Sequence, residues 1–400
     1  MVRTTLGSSM LAIAISLAAV PAMAKKPLPA RDWQEVTPAA SVTGVDGQSY
    51  SPSCSALPGT DPTFRFFHRP GRGDKLVVYF EGGGACWDDL TCSFPIGSGL
   101  PSPAPQFYVP AIPPGSTPAG IGGMFDTTRA DNPVRDWSMV YIPYCSGDIH
   151  TGSTTKTYFN AGNPFLPAQY EITHRGFDNF MAVLAWMRSE LPKPSQILVT
   201  GVSAGGYGAT ANFPWIERSY GPARAALLAD ASQGVTTEAF DTGPVGRNSW
   251  NPQLAPWVFG EAPTMLPGNQ LMRAVAQAHP RSKVAQFTTA LDEVQIGFYG
   301  LMKQFYGPGG SCPNPAIDWN QQMLAALTAD AGLPNFRHYL AAGAYHTLLR
   351  DDNYYDEASA GVPFAGWLGQ MLANQGGTGG RGGKWFDAAC PGCLTPLPCE

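Results

Sequence analysis

The apolar run Ile197-Leu198-Val199-Thr200 leads directly into Gly201-Val202-Ser203-Ala204-Gly205-Gly206. A short β-prone run feeding a G-x-S-x-G pattern predicts a strand, a sharp turn and a helix, with the serine hydroxyl pushed out at the turn. Glycines two before and two after Ser203 are required because a side chain at either place would strike the neighbouring strand or helix. The turn itself holds the serine in a sparsely populated backbone conformation. The pattern alone is weak in a chain with 46 glycines among 400 residues, so its surroundings must carry the argument.

Those surroundings alternate apolar, β-branched runs with helical stretches, which predicts an α/β fold with a mostly parallel central sheet flanked by helices. The candidate core strands are Lys75–Phe80, Ser138–Tyr144, Ile197–Thr200, Ala225–Ala229, Val284–Ala290 and Phe336–Ala341. Several are apolar nearly throughout, as expected of strands covered on both faces. Over His174–Leu191, Phe177, Met181, Leu184 and Met187 recur at helical steps, so this segment reads as the crossover helix before the serine turn. A second helix is expected after Ser203, interrupted at Pro214. Two long Pro/Gly-rich regions, Leu100–Gly123 and Thr236–Pro280, read as loop insertions, either lids and binding loops or plain surface insertions. Gly376–Gly383 reads as a flexible tract before a cysteine-rich tail.

The N-terminus carries Arg3, an apolar stretch Met10 to Val20, and Ala22-Met23-Ala24, the three parts of a cleavable export signal. Its apolar stretch is short of the ~20 residues a membrane span needs. Residues 1–24 are therefore expected to be removed, leaving 25–400 as a single catalytic domain in the periplasm or outside the cell. Eight cysteines behind such a signal imply disulfides, up to four, with a connectivity that spacing does not reveal. Cys390-Pro391-Gly392-Cys393 has no second C-x-x-C or histidine pair to complete a zinc site, so a structural disulfide is expected there. A net charge of −5 offers no attraction for nucleic acid or an anionic membrane.

A serine nucleophile needs a base, an acid to orient the base, and N–H donors for the tetrahedral oxyanion. Where the serine follows a sheet strand in this way, the acid and then the histidine come later in the chain. Asp292, at the end of Val284–Leu291, is the preferred acid, and Asp230, at the end of Ala225–Ala229, is its rival. Two histidines follow Asp292. His346 lies on a loop just past Phe336–Ala341 and is the preferred base, whereas His338 lies inside that strand. Ala204 N–H and the loop Glu81-Gly82-Gly83-Gly84, which follows Lys75–Phe80, are the expected oxyanion donors. No cofactor is called for.

Taken together, Glu81-Gly82-Gly83-Gly84-Ala85-Cys86, Tyr144-Cys145-Ser146-Gly147-Asp148, Gly201–Gly206, Asp292-Glu293-Val294-Gln295 and the loop bearing His346 resemble the pectin acetylesterase/Notum family. The motifs run in consistent order from about residue 75 to 350. The resemblance implies the α/β-hydrolase fold and a secreted carboxylesterase with Ser203, Asp292 and His346 as its triad. It also implies Gly83, Gly84 and Ala204 as oxyanion donors. The expected substrate is a small acyl ester, acetyl first, on a plant-type polysaccharide such as pectin. The alternatives are a lipase-like, polyester or aryl-ester hydrolase with an apolar acyl pocket, and a binding protein on the same fold. One departure bears on the acyl group: plant members carry tryptophan just before the cysteine of the glycine loop, whereas this chain has Ala85 there and Trp87 after Cys86. The Asp148-x-His150 pair belongs to a family loop near the site and supplies too few ligands for a metal.

Overall fold

All six expected strands form, and all lie in one sheet. A computed structural model describes residues 32–97, 105–261, 266–373 and 385–399. The expected export signal and the glycine tract 376–383 lie outside the described residues. The nine-stranded sheet comprises β1 (Gln34–Val36), β2 (Phe66–Arg69), β3 (Lys75–Phe80), β4 (Ser138–Ile142), β5 (Gln196–Val202), β6 (Arg224–Asp230), β7 (Lys283–Thr289), β8 (Phe336–Ala341) and β9 (Ala388–Ala389). Its spatial order is β1-β2-β4-β3-β5-β6-β7-β8-β9. The pairs β1–β2 and β2–β4 are antiparallel, and every pairing from β4 to β9 is parallel.

The apolar runs follow from burial on both faces. Val78, Phe80, Val199, Leu227 and Leu340 point into one core cluster, with Phe177 and Phe180 of α1 (Gly176–Glu190) and Phe213 of α2 (Ala204–Ser219). The alternate residues Val77, Tyr79, Leu198, Leu228 and Tyr339 point into the other, with Trp367 and Leu368 of the helix Phe364–Leu372. A strand between two such layers has no polar face to show water, so alternation disappears from its sequence. At ~25 cal/mol per Å² of apolar surface, these two layers supply the main drive for folding.

Three local expectations are corrected. The crossover helix starts at Gly176 rather than His174, because Gln169–His174 is a strand paired antiparallel with Thr154–Phe159. Helix α2 runs through Pro214 to Ser219 without stopping. An interior proline costs about 3 kcal/mol, but Phe213, Pro214 and Ile216 are buried and the packing they gain offsets that cost. The region expected as a loop over Thr236–Pro280 contains the short helices Glu238–Thr242 and Pro256–Phe259 and the longer Leu271–Ala278.

All eight cysteines are paired: Cys54–Cys145, Cys86–Cys92, Cys312–Cys399 and Cys390–Cys393. The last of these was expected and closes a turn within the tail, while Cys312–Cys399 ties the tail to the segment before the helix Pro315–Asp330. Among the described residues, no helix is long and apolar enough to cross a membrane.

Candidate functional site

Ser203 stands between β5 and α2 with φ 55° and ψ −125°, a conformation an L-residue avoids unless its surroundings impose it. Two things impose it here. The Ser203 N–H donates to Asp230 O at 2.8 Å, so the turn stays tied to β6. Gly205 lies so close to the Phe80 carbonyl that a Cβ would overlap it. Helix α2 begins at Ala204, whose N–H has no intrahelical acceptor and lies at the positive end of the helix.

The expected acid and base meet directly. His346 Nδ1 lies 2.8 Å from both carboxylate oxygens of Asp292. Asp292 is wholly buried and is the N-cap of α3 (Glu293–Phe305). Its Oδ1 accepts Val294 N–H at 3.1 Å and Gln295 N–H at 3.0 Å, and Oδ2 accepts Gln295 Nε2 at 2.9 Å. Four donors converge on one carboxylate, which fixes its plane and with it the imidazole. The loop carrying His346 is laced to the end of β7 by Leu291 N–H to Gly343 O and Glu293 N–H to Ala344 O, at 3.1 and 3.0 Å. The other ring nitrogen, Nε2, is buried and has no hydrogen-bond partner among the described residues. It is therefore available to a group placed in the cavity that His346 and Ser203 both line.

That cavity encloses about 740 Å³ of empty space, part of it open to solvent. Gly84 and Ala204 line it, and Gly84 takes φ 72°, where a Cβ would strike the Phe107 carbonyl. Gly83 lies one residue before the lining, with its carbonyl accepting Val109 N–H at 2.9 Å. The walls are mostly apolar: Ala85, Trp87, Phe240, Trp250, Phe298 and Met302 all contribute. Trp87 packs edge-on against Phe240, with ring centroids 5.0 Å apart, and Trp250 donates its indole N–H to Cys86 O at 2.6 Å. An ion pair is set into this wall. Arg247 Nη2 lies 3.6 Å from Asp241 Oδ1, with both side chains about 95% buried or more. Thr236 Oγ1 and Gly268 N–H also donate to Asp241, and Arg247 Nη2 donates to Leu266 O. These bonds help meet the desolvation cost of burying the pair.

The remaining residues singled out from sequence sit elsewhere. Asp230 gives its carboxylate to Leu348 and Leu349 N–H and not to a histidine. His338 lies within β8 beside Asp387, at 3.3 Å. Asp148 accepts from Ser146 Oγ and the N–H groups of His150 and Gly176, while His150 Nε2 lies 2.8 Å from Glu81 O. This pair braces the start of the glycine loop, and burial pushes His150 down to about 4. Trp257, in the Thr236–Pro280 insertion, is 40% exposed and meets Trp215 edge-on with Arg218 over its ring, away from the cavity lining.

Sequence reading missed two contributors. Gln295 links Asp292 to Gln233 and Tyr207, and its only signal was the Asp-x-x-Gln spacing at a helix start. The apolar wall draws on the 85–87, 240–250 and 298–302 segments, and no single stretch announces it.

A family model described as Pectinacetylesterase matches residues 41–233. The match takes in the glycine loop and Ser203 and ends before Asp292 and His346. The palmitoleoyl-protein carboxylesterase NOTUM of Schmidtea mediterranea is 24% identical over 149 residues, which cover 36% of this chain. The chain spans about a quarter of that protein's length, 24%. The family match falls on the strand, glycine loop and serine turn already described, so over residues 41–233 the chain is similar to the pectinacetylesterases, and it shares a weaker likeness with a Notum carboxylesterase.

Proposed function

We propose that this protein is an exported serine carboxylesterase with Ser203 as nucleophile, His346 as general base and Asp292 as the acid that orients it. One observation carries the reading: Ser203, held at the serine turn, shares a cavity with an imidazole whose Nδ1 is bonded to a buried carboxylate. His346 Nε2 takes the Ser203 proton as Oγ attacks the ester carbonyl, and Asp292 stabilises the imidazolium that forms. The Ala204 and Gly84 N–H groups, with Gly83 beside them, donate to the oxyanion. His346 returns the proton to the leaving alcohol, and water then releases the acyl group by the same steps in reverse order. Export is supported by four disulfides and by the N-terminal pattern.

The family description supports an acetyl ester on pectin or a similar polysaccharide. A second reading has its own observation. The cavity is walled by Trp87, Phe240, Trp250, Phe298 and Met302, an apolar lining that suits a longer acyl chain. Hydrolysis of p-nitrophenyl esters from acetate to decanoate, with acetate release from acetylated pectin alongside and Ser203→Ala as control, separates the readings. Turnover peaking at acetate sinks the longer chain, and a peak at longer acyl groups sinks the acetyl ester. Turnover or fluorophosphonate labelling that survives in Ser203→Ala removes the nucleophile assignment.

A further inference from the structure

We propose that Asp230 is a positioning residue for this site, and that its carbonyl and carboxylate together set the separation of Ser203 and His346. The proposal rests on the esterase reading above. Asp230 ends β6, next to the strand that carries the serine turn, and is wholly buried. Its carbonyl accepts the Ser203 N–H at 2.8 Å and the Ser232 hydroxyl at 3.1 Å. Its Oδ2 accepts the N–H groups of Leu348 and Leu349 at 2.9 and 3.0 Å. One residue thus holds the turn of the nucleophile on one side and the turn behind the base on the other.

The His346 turn needs such a hold. Thr347 has φ 64°, which a β-branched residue resists. Leu348 and Leu349 are fully buried, so if the turn rotates it strands two donors that no solvent can reach. Asp292 fixes the imidazole ring through Nδ1, but it does not touch the backbone that follows His346. That backbone is held by Asp230. Burial also pushes the Asp230 carboxyl up to about 7, against the opposing pull of the two N–H groups and His346. Its second oxygen, Oδ1, is buried with no hydrogen-bond partner among the described residues and can hold the proton. A neutral side chain that still accepts through one oxygen therefore does the same job, which makes asparagine a fair substitute.

The test compares wild type, Asp230→Ala and Asp230→Asn on a p-nitrophenyl ester, with Ser203→Ala as the control. The readouts are kcat, KM, the rate of fluorophosphonate labelling, and the proton resonance of His346 Nδ1–H. The last reports the bond to Asp292 whether or not ester is turned over. For Asp230→Ala, kcat and labelling fall about 100-fold while KM stays within about threefold, and the resonance shifts or broadens. Asp230→Asn recovers kcat to within about tenfold of wild type and keeps the resonance in place. A folded Asp230→Ala protein with kcat within about threefold and an unmoved resonance overturns the proposal. If the alanine variant does not fold, the asparagine variant decides: a folded Asp230→Asn protein that loses about 100-fold in kcat shows that charge and not position matters, which also overturns it. If wild type neither turns over ester nor takes the label, the esterase reading fails, and Asp230 is judged by the resonance alone in the same proteins.

Discussion

Asp292→Asn tests the heart of the site, because it removes a charge while leaving the shape. Asp292 lies 2.8 Å from His346 Nδ1 and is wholly buried. A unit charge pair at about 3–4 Å with an effective dielectric near 20 is worth about 4–6 kcal/mol. On the proposed mechanism the imidazolium exists only once His346 has taken the Ser203 proton, so nearly all of that attraction is realised on the way to the transition state. Each ~1.4 kcal/mol is a factor of ten, which puts the expected loss in kcat at about 10³–10⁴. KM should change little. The asparagine oxygen still caps α3 through Val294 and Gln295 N–H, so the melting temperature should stay close to that of wild type. Steady-state turnover of a p-nitrophenyl ester beside a thermal melt measures both. A kcat within about tenfold of wild type would refute the assignment. If Asp230→Asn instead produced the larger loss, the acid would be Asp230 and the geometry would have misled.

Three further outcomes follow from the same structure. Ala85→Trp places an indole in the cavity wall beside Trp87, so turnover of longer acyl esters should fall about tenfold or more relative to acetate in a chain-length series. Removing Cys54–Cys145, which closes a separation of 91 residues, should cost about 4.5 kcal/mol on the chain-entropy account, read by urea unfolding of the Cys54→Ala/Cys145→Ala protein. His174 is buried between Ser146 O and the Tyr158 hydroxyl, and burial pushes it from 6.5 down to about 4. As pH falls from 6.5 towards 4, the unfolded chain takes up this proton and the folded protein does not, so stability is lost over that window. His174→Gln should therefore gain about 2.5 kcal/mol on wild type between pH 8 and pH 4.5, measured as the change in their difference by urea unfolding. Asp148 and Asp230, raised to about 6 and about 7, act in the opposite direction in both proteins and cancel in that comparison.

How much of this could be read in the sequence depended on whether local residues decide the feature. Strands β3 to β8 were legible because burial on both faces removes polar residues from a contiguous run, as in Leu76–Phe80 and Ile197–Val199. The serine turn was legible because its steric demands fall on glycines at set offsets. His174 was misplaced because the helical spacing of Phe177, Met181 and Leu184 gives no hint that the residues just before them pair with Thr154–Phe159. Pro214 was read as a break because its cost is local, whereas the packing that offsets it comes from distant residues. The disulfide partners and the cavity wall share that second character. Cys54 meets Cys145 and Trp87 meets Phe240 and Phe298 only once the chain has crossed the sheet.

The two aspartates show where the line falls. Asp230 and Asp292 each follow an apolar strand, both are wholly buried, and nothing in their immediate sequence separates an acid that orients a histidine from one that anchors a turn. What separates them is which donors reach each carboxylate. Asp292 begins a helix, so two of its donors come from that helix and its remaining acceptor capacity faces the ring of His346. Asp230 sits one strand nearer the nucleophile, where the backbone beyond His346 passes over it and takes Oδ2 for two N–H groups. The acid that faces the ring is therefore the one a strand further from Ser203. A histidine on the loop after β8 can lean back over β7 towards the serine only if the carboxylate behind it stands at the end of β7 and the backbone beyond it is held down at the end of β6. On this account the two carboxylates are not redundant: exchanging either for alanine should disable the site by a different route, one through the charge on the ring and the other through its position.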